Sequence, residues 1–225
     1  MKFLILGQIN IFATMNDQKT PLLRYCAAHS TPPDSILRDL ERETHLKTLA
    51  PQMMSGPLQG QLLRLLSQSQ QGKLYLEIGT FTGYAALCIA SGIPAGAILH
   101  TIEVNQELEY IIRKYIKRAN YEDRIQLHIG NAQEIIPMIK GDFDMVFIDA
   151  GKQHNALYYD LILDRTNSGG ILLIDNVLWG GKVVQAKKDR DTILIDTFNK
   201  KVQNDNRVEN MLLPIRDGLM VVRKK

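Results

Sequence analysis

The sequence is poor in several features that would each assign a protein to a class. It has only two cysteines, Cys26 and Cys88, which excludes a disulfide framework and predicts a cytoplasmic protein with free thiols. No apolar run approaches the roughly 18–20 residues of a membrane helix, so no membrane partner is expected. The apolar opening of residues 1–15 is interrupted by polar side chains and has no small-residue cleavage site, so we expect no signal peptide.

An excess of charge of one sign is also absent, because the formal net charge is only +3. Short basic clusters at 187–190 and 223–225 are typical of solvated surface, and they permit a nucleic-acid partner without requiring one. The length of 225 residues fits a single domain with an N-terminal extension. We expect residues 51–225 to form that domain and residues 1–50 to form a tail and a helical cap, with Met15 as an alternative start of translation.

A regular alternation of strand and helix patterns begins at about residue 74. The strand candidates are nearly continuous apolar runs, as burial on both faces of a parallel sheet requires. They span residues 74–78, 98–103, 124–129, 143–149 and 170–175, and helix candidates lie between them near residues 83–91, 105–119, 131–139 and 154–165. The sequence therefore predicts an α/β fold with a mostly parallel sheet.

The two ends of the chain depart from this alternation. After a helix candidate at 190–204, two strand candidates at 207–213 and 219–224 are joined by so short a connection that they should pair as an antiparallel hairpin. Near the N-terminus, residues 31–49 place two prolines and Asp34 before an apolar helical periodicity. We interpret this segment as a helical cap on the α/β domain.

The first strand candidate leads into a glycine turn, Glu77-x-Gly79-x-x-x-Gly83, at the start of a helix. Glycine lets the backbone approach a ligand closely, and the helix N-terminus can hold an anionic group. Glu103 ends the next strand, where an acidic side chain can accept both hydroxyls of a ribose. The third glycine of the dinucleotide fingerprint is missing, and Glu77 is a carboxylate within an apolar strand, which needs a donor or a cation. This combination favours S-adenosylmethionine over NAD as the cofactor.

Oxygen-bearing side chains end two further strands. Asp149 follows "FDMVFI", whereas Asp175 and Asn176 follow "ILLI". Because ligands of doubly wound sheets bind at the carboxyl ends of the strands, we expect these side chains to converge. Carboxylate and amide oxygens suit a hard cation such as Mg²⁺, Mn²⁺ or Ca²⁺. The alternative is that the two aspartates cap the helices that follow them.

Four motifs in unbroken order carry a resemblance to a known family. "LEIGTFTGYAAL", "FIDAGK", "IDNVLWGG" and "LPIRDGLMVVRK" are similar to motifs of the cation-dependent class I O-methyltransferases, which include the caffeoyl-CoA and catechol O-methyltransferases and many bacterial relatives. The resemblance covers roughly residues 50–225. It implies a Rossmann-like, seven-stranded methyltransferase fold, transfer of a methyl group from S-adenosylmethionine to a hydroxyl, and a homodimer.

The resemblance also implies which residues bind the cofactor. Tyr84 and Ala85 would face its methionine end, Glu103 would hold its ribose, and Ala132 with Gln133 would border its adenine. The full cofactor-binding set is Met54, Glu77, Gly79, Thr80, Phe81, Gly83, Tyr84, Ala85, Glu103, Ala132, Gln133 and Asp149.

Several positions depart from the family pattern. Ala85 stands where many relatives have a serine, and Gly151 replaces an aspartate or a bulkier residue of some branches. His154 and Asn155 replace an Asn-Tyr pair of the plant enzymes, and Met211 aligns with a substrate-binding glutamate of catechol O-methyltransferase. These changes concern the acceptor, so the sequence leaves its identity open.

The expected chemistry joins the cation to a general base. A cation next to a hydroxyl acts as a Lewis acid and lowers its pKa, and Asp149, Asp175 and Asn176 would hold that cation. Lys152 follows Asp149 by three residues and would take the proton, with Asp149 as its catalytic neighbour. The alternative is that Lys152 is an ordinary surface lysine.

The sequence therefore predicts methyl transfer to a cation-held hydroxyl of a small catechol-like or phenolic acceptor. One alternative within the family is a tRNA hydroxyuridine O-methyltransferase, whose basic clusters would contact phosphates. An alternative of another class is a cofactor-binding module without catalysis. An NAD oxidoreductase is the weakest alternative, because the fingerprint glycine is missing.

Overall fold

The computed structural model describes residues 21–225 of the chain. The tail expected before Met15 lies outside these residues. Within the described range, no helix is long and apolar enough to cross a membrane. The described chain forms an α/β domain in which helices cover both faces of one sheet, as the sequence predicts.

Seven strands of the described chain build this sheet. They are β1 (Leu74–Ile78), β2 (Ile98–Glu103), β3 (Ile125–Ile129), β4 (Phe143–Ile148), β5 (Thr166–Asp175), β6 (Val208–Leu213) and β7 (Leu219–Lys224). Their order across the sheet is β3-β2-β1-β4-β5-β7-β6. The strands β1 to β5 pair in parallel, and β7 runs antiparallel to both β5 and β6. The mostly parallel sheet and its C-terminal hairpin are thereby confirmed.

The helices of the described residues alternate with these strands. They are α1 (Pro21–Ala28), α2 (Ser35–Lys47), α3 (Gly56–Ser69), α4 (Tyr84–Gly92), α5 (Glu109–Arg118), α6 (Ala132–Ile135), α7 (Asn155–Leu163) and α8 (Arg190–Gln203). Short 3-10 turns adjoin some of them, at Pro51–Met53, Gln106–Leu108, Ile136–Met138, Lys152–His154 and Lys182–Val184. The strand–helix alternation follows the prediction, whereas α1 and α3 were not expected.

The sheet separates two hydrophobic cores, because successive side chains of a strand point to opposite faces. In β1, Tyr75 packs into the core that α2 to α5 cover, and Leu76 packs into the core that α7 and α8 cover. Both side chains are almost fully buried. Burial on both faces explains why the central strands read as continuous apolar runs.

The helical cap is present as α2 and contacts the domain directly. Asp34 caps its N-terminus by accepting a hydrogen bond from the backbone in the first turn. Lys114 of α5 forms an ion pair with Glu43 at 2.5 Å. The hydroxyl of Thr44 donates to that of Thr82 at 2.9 Å, and both residues are fully buried. The cap therefore supports the loop that follows β1.

Two element boundaries differ from the prediction. The helix expected at 131–139 is the four-residue α6 followed by a 3-10 turn, because Pro137 has no N–H to continue an α-helical hydrogen-bond ladder. The strand expected at 170–175 begins earlier, at Thr166, which pairs with Phe143 of β4. Neither difference moves the carboxyl ends of the strands.

Candidate active site

A cavity of about 1890 Å³ opens at the carboxyl ends of the parallel strands. It is lined by residues that follow β1, β2, β3, β4 and β5, and its far wall is the segment 47–59 together with α1. Parallel α/β sheets bind ligands at this edge, because the loops after adjacent strands diverge there. The predicted site residues that line it are Met54, Gly79, Phe81, Glu103, Ala132, Gln133, Asp149, Lys152, Asp175 and Asn176.

The side chains after β4 and β5 converge as the sequence predicts. The Lys152 ammonium donates to Asp149 Oδ1 at 3.3 Å and to Asn176 Oδ1. The Lys152 and Asp149 side chains are only 20% and 17% exposed. Neither aspartate acts as the cap of a helix, since Gly151 and Gly181 precede the 3-10 turns that follow.

Burial perturbs the carboxyl group of Asp149. Loss of solvent and the nearby Asp175 carboxylate raise the pKa of Asp149 to about 6, although Lys152 acts in the opposite direction. Two carboxyl groups at one end of the sheet therefore favour a positive charge between them.

Asp175 is held by two donors. Its Oδ2 accepts from the side-chain amide of Gln59 at 2.7 Å, and its Oδ1 accepts from the backbone N–H of Asn176 at 2.7 Å. Arg216 in turn donates to Gln59 Oε1 at 3.2 Å. Sequence reasoning missed Gln59 and Arg216, although both lie in the segments "QMMSGPLQGQLL" and "LPIRDGLMVVRK" that carry the family resemblance.

The loop after β1 approaches the end of β4 very closely. Gly79 has φ +96°, and a Cβ at this position would lie 2.1 Å from the Asp149 carbonyl oxygen. Only glycine fits this contact. Further along the loop, the Phe81 N–H donates to Glu103 Oε2 at 2.7 Å, and Asn105 N–H donates to Glu103 Oε1 at 2.8 Å. Two backbone amides therefore orient the Glu103 carboxylate at the cavity wall.

Glu77 lies behind this loop and is fully buried. Its Oε2 accepts from the Thr101 hydroxyl, whereas its Oε1 has no hydrogen-bond partner among residues 21–225. Burial raises the pKa of Glu77 to about 8, against the effect of the Thr101 hydrogen bond. Thr80 shares this network, with its hydroxyl 2.5 Å from that of Thr101.

Two residues expected at the methionine end of the cofactor do not present their side chains to the cavity. Tyr84 packs against Gly60 of α3 and lines a separate small cavity with Cys88, and Ala85 is buried in the same helix packing. The packing against α3 directs the Tyr84 side chain away from the large cavity, and Ala85 is buried and does not line that cavity either. The cofactor contacts expected of these two residues stay a prediction. Any cofactor contact of Tyr84 or Ala85 would have to come from their backbone. Gly83, with φ +96°, precedes α4 at the end of the loop.

The expected cation site needs the side-chain oxygen of Asn176 as its third ligand. Among residues 21–225, no group of three or more histidine, cysteine, aspartate and glutamate side chains could hold a metal ion. The expected set contains two carboxylates, Asp149 and Asp175, and takes its third oxygen from Asn176. His154 and Trp179 also line the cavity at this end.

Comparison with known proteins identifies the family. A sequence profile described as O-methyltransferase matches residues 27–225. Catechol O-methyltransferase domain-containing protein 1 of Mus musculus is 32% identical over 213 residues, which cover 92% of this chain and 81% of that protein.

Two solved structures share the fold along almost the whole chain. An O-methyltransferase from Bacillus cereus in complex with SAH has a TM-score of 0.83 and 30% identity, and covers 92% of this chain and 98% of its own. The SAH-bound methyltransferase PaMTH1 from Podospora anserina has a TM-score of 0.85 and 27% identity, with 100% of both chains covered. These matches confirm the resemblance of the four motifs, and the chain belongs to the O-methyltransferase family.

Proposed function

We propose that this O-methyltransferase transfers the methyl group of S-adenosylmethionine to a hydroxyl of a small catechol-like or phenolic acceptor, with a divalent cation and with Lys152 as general base. The observation that carries the proposal is the convergence of Asp149, Lys152, Asp175 and Asn176 at one end of the cavity. It supports the proposal because carboxylate and amide oxygens lie beside a lysine amine at the carboxyl edge of the sheet.

The residues around the β1 loop fit S-adenosylmethionine. Glu77 is buried behind the loop with an unpartnered Oε1, so a nearby positive charge such as the ammonium group of the cofactor would stabilise its carboxylate. The close approach at Gly79 keeps the loop clear of side chains, and Glu103 offers a carboxylate oriented for ribose hydroxyls. The relatives from Bacillus cereus and Podospora anserina were solved with SAH, the demethylated product of this cofactor. S-adenosylmethionine supplies the methyl group on a positively charged sulfur, which leaves as a neutral thioether.

The donor set at the ends of β4 and β5 fits a hard divalent cation. Asp149, Asp175 and Asn176 offer carboxylate and amide oxygens, the ligands that Mg²⁺, Mn²⁺ and Ca²⁺ prefer. Burial and repulsion from Asp175 raise the pKa of Asp149. A bound cation would offset both effects, because a positive charge stabilises the ionised carboxylate. When bound, the cation acts as a Lewis acid that lowers the pKa of the acceptor hydroxyl.

In this proposal, Lys152 removes the proton of the acceptor hydroxyl. In the structure its Nζ donates to Asp149 and Asn176, and its side chain is 20% exposed, so the amine lies beside the oxygen atoms that would hold the cation. In the proposed reaction, neutral Lys152 accepts the hydroxyl proton at Nζ while the acceptor oxygen attacks the methyl carbon. Trp179 and His154 would contact the acceptor, because they line the same end of the cavity.

The basic clusters favour a small acceptor over tRNA, because some of their side chains already bind partners within the protein. Lys188 forms an ion pair with Asp196 at 2.6 Å. Lys224 donates to the backbone carbonyls of Leu163 and Thr166 at 2.8 and 2.7 Å. Because these ammonium groups already have intramolecular partners, they are less available to phosphates than a free basic patch would be.

The test measures methyl transfer to a panel of catechols and phenols and to total tRNA, side by side. Excess chelator should abolish turnover, and Mg²⁺ or Mn²⁺ should restore it. Asp175→Ala should abolish turnover and leave the affinity for S-adenosylhomocysteine nearly unchanged, because this residue lies at the cation end. Asp191→Ala, an exposed aspartate of α8, is the matched control. Full activity in excess chelator would refute the cation, and methylation of tRNA alone would refute the small acceptor.

A further inference from the structure

Asp175 is connected to a distant turn of the chain through one buried side chain. Gln59 of α3 donates to Asp175, and Arg216, in the turn between β6 and β7, donates to Gln59. We propose that Gln59 is a positioning residue that orients Asp175 and that Arg216 fixes the direction of the Gln59 amide. This inference rests on the proposed function, since it concerns the carboxylate assigned to the cation.

The contact between Gln59 and Asp175 is enclosed. Gln59 is 1% exposed and Asp175 is 2% exposed, so water cannot easily replace either partner. Their hydrogen bond of 2.7 Å joins residues 116 positions apart. With the Asn176 N–H on the other oxygen, each carboxylate oxygen of Asp175 has one donor and keeps lone pairs free for a ligand. The carboxylate is therefore held in one orientation before a cation binds.

Arg216 decides which end of the Gln59 amide faces Asp175. A glutamine amide can accept at one end and donate at the other, whereas a guanidinium can only donate. The guanidinium therefore requires the carbonyl oxygen of Gln59 on its side, which leaves the NH₂ group for the carboxylate. The reversed amide would place its oxygen against Asp175 and its NH₂ group against Arg216, so both contacts would become repulsive.

Arg216 also forms a hydrogen bond to the segment 47–59, which forms part of the cavity wall. Its guanidinium donates to the backbone carbonyl of Gln52 at 3.2 Å, just before Met54, which lines the cavity. Arg216 therefore contacts the segment 47–59 directly and influences the orientation of Asp175 through Gln59. Residues that orient a metal ligand typically change metal affinity by about 10–100-fold when they are replaced.

The experiment measures Mn²⁺ binding to the full chain saturated with S-adenosylhomocysteine, by calorimetry, in Gln59→Leu and Arg216→Met. Gln59→Leu should weaken Mn²⁺ binding about 10–100-fold and leave S-adenosylhomocysteine affinity within about twofold of wild type. Gln68→Leu, an exposed glutamine of the same helix, is the matched control and should bind Mn²⁺ as wild type does.

Arg216→Met should produce a smaller loss of Mn²⁺ affinity, because the amide can then adopt both orientations. In the double variant, Arg216→Met should add little to Gln59→Leu, since the arginine acts on Asp175 through the amide. Arg216→Lys keeps a donor and should restore Mn²⁺ affinity toward wild type. Independent, additive losses would overturn the assigned order of action.

The outcomes separate this inference from the proposed function. If Asp175→Asn abolishes Mn²⁺ binding and Gln59→Leu retains wild-type Mn²⁺ affinity, the positioning role is overturned and the proposed function stands. If Asp175→Asn binds Mn²⁺ normally, the proposed function fails and the inference fails with it. Equal losses of Mn²⁺ and S-adenosylhomocysteine affinity in Gln59→Leu would show a general structural role and overturn the inference. If Gln59→Leu does not fold, Arg216→Met, at a partly exposed residue, decides with the same measurement.

Discussion

Replacement of Glu103 by alanine tests the proposed cofactor site most directly. The Glu103 carboxylate ends β2, is 6% exposed and accepts from the N–H groups of Phe81 and Asn105. Both amides donate from loops at the cavity, so the carboxylate is oriented before a ligand arrives. Glu103→Ala therefore removes a charged acceptor for ribose hydroxyls and also removes the partner of two backbone donors.

The expected loss follows from the kind of hydrogen bond involved. Loss of a charged acceptor costs about 1–3 kcal/mol of binding free energy, which weakens the affinity for S-adenosylhomocysteine roughly fivefold to 150-fold. The free energy of unfolding should fall by about 1 kcal/mol, the low end for an unsatisfied donor, because the open cavity lets water reach the freed amides. The effect on binding should thus exceed the effect on stability.

Calorimetry with S-adenosylhomocysteine and urea unfolding measure the two effects separately. Glu107→Ala is the control, since Glu107 lines the same cavity and is exposed. Wild-type affinity in a folded Glu103→Ala protein would show that Glu103 does not hold the ribose. An equal loss in the Glu107 variant would show only a change in the net charge of the cavity.

Three further changes test other contacts. Lys152→Ala should slow the methyl-transfer step about 10²–10⁴-fold and retain Mn²⁺ and cofactor binding, with partial rescue at high pH; wild-type turnover would refute the general base. Thr44→Val leaves the buried Thr82 hydroxyl unpartnered, so the free energy of unfolding should fall by about 1–3 kcal/mol, and an unchanged urea midpoint would contradict this. Burial and the adjacent His128 lower the pKa of His100 to about 4, so the unfolded chain takes up protons near pH 6.5 before the folded chain does. Stability should therefore fall as the pH decreases from about 6.5 to 4, less so in His100→Phe, and equal pH profiles of the unfolding midpoint would refute the contribution.

The parallel strands could be predicted because two-sided burial leaves a local pattern. The helix α3 could not, although it covers the same sheet. Its sequence "GPLQGQLLRLLSQS" has Gly60 in its interior, and glycine disfavours helices by about 1 kcal/mol relative to alanine. In the fold, a Cβ at this position would lie 2.7 Å from Cys88 Sγ, so the close approach of α4 requires the glycine. Tertiary packing thus explains a residue that local propensity counts against the helix.

The direction of the Tyr84 and Ala85 side chains could not be predicted for a related reason. All residues of α4 from Tyr84 to Ala90 are buried, so its sequence is apolar on every side. A helix without a polar face has no periodicity that shows which side meets the cavity. The resemblance places these positions near the cofactor, and the packing against Gly60 of α3 fixes where the Tyr84 side chain points.

The convergence of Asp149, Asp175 and Asn176 was predictable from a rule of topology. Residues that end adjacent parallel strands meet at one edge of the sheet, so the sequence distance between them does not matter. No such rule covers Gln59 and Arg216. The hydrogen bond from Arg216 to Gln59 joins residues 157 positions apart, and Arg216 has a φ of +50°, which is uncommon for residues other than glycine.

The two ends of the cavity are therefore held by different kinds of contact. At the cofactor end, backbone amides of adjacent loops orient Glu103, and the fold itself supplies them. At the proposed cation end, Asp175 Oδ2 and Asn176 Oδ1 take their partners from side chains of α3 and of the loop after β4, while Asp175 Oδ1 accepts from the backbone N–H of Asn176. Side-chain partners change with a single substitution, whereas backbone donors do not. Substitution of Gln59 in α3 should consequently alter cation binding more than it alters the affinity for S-adenosylhomocysteine.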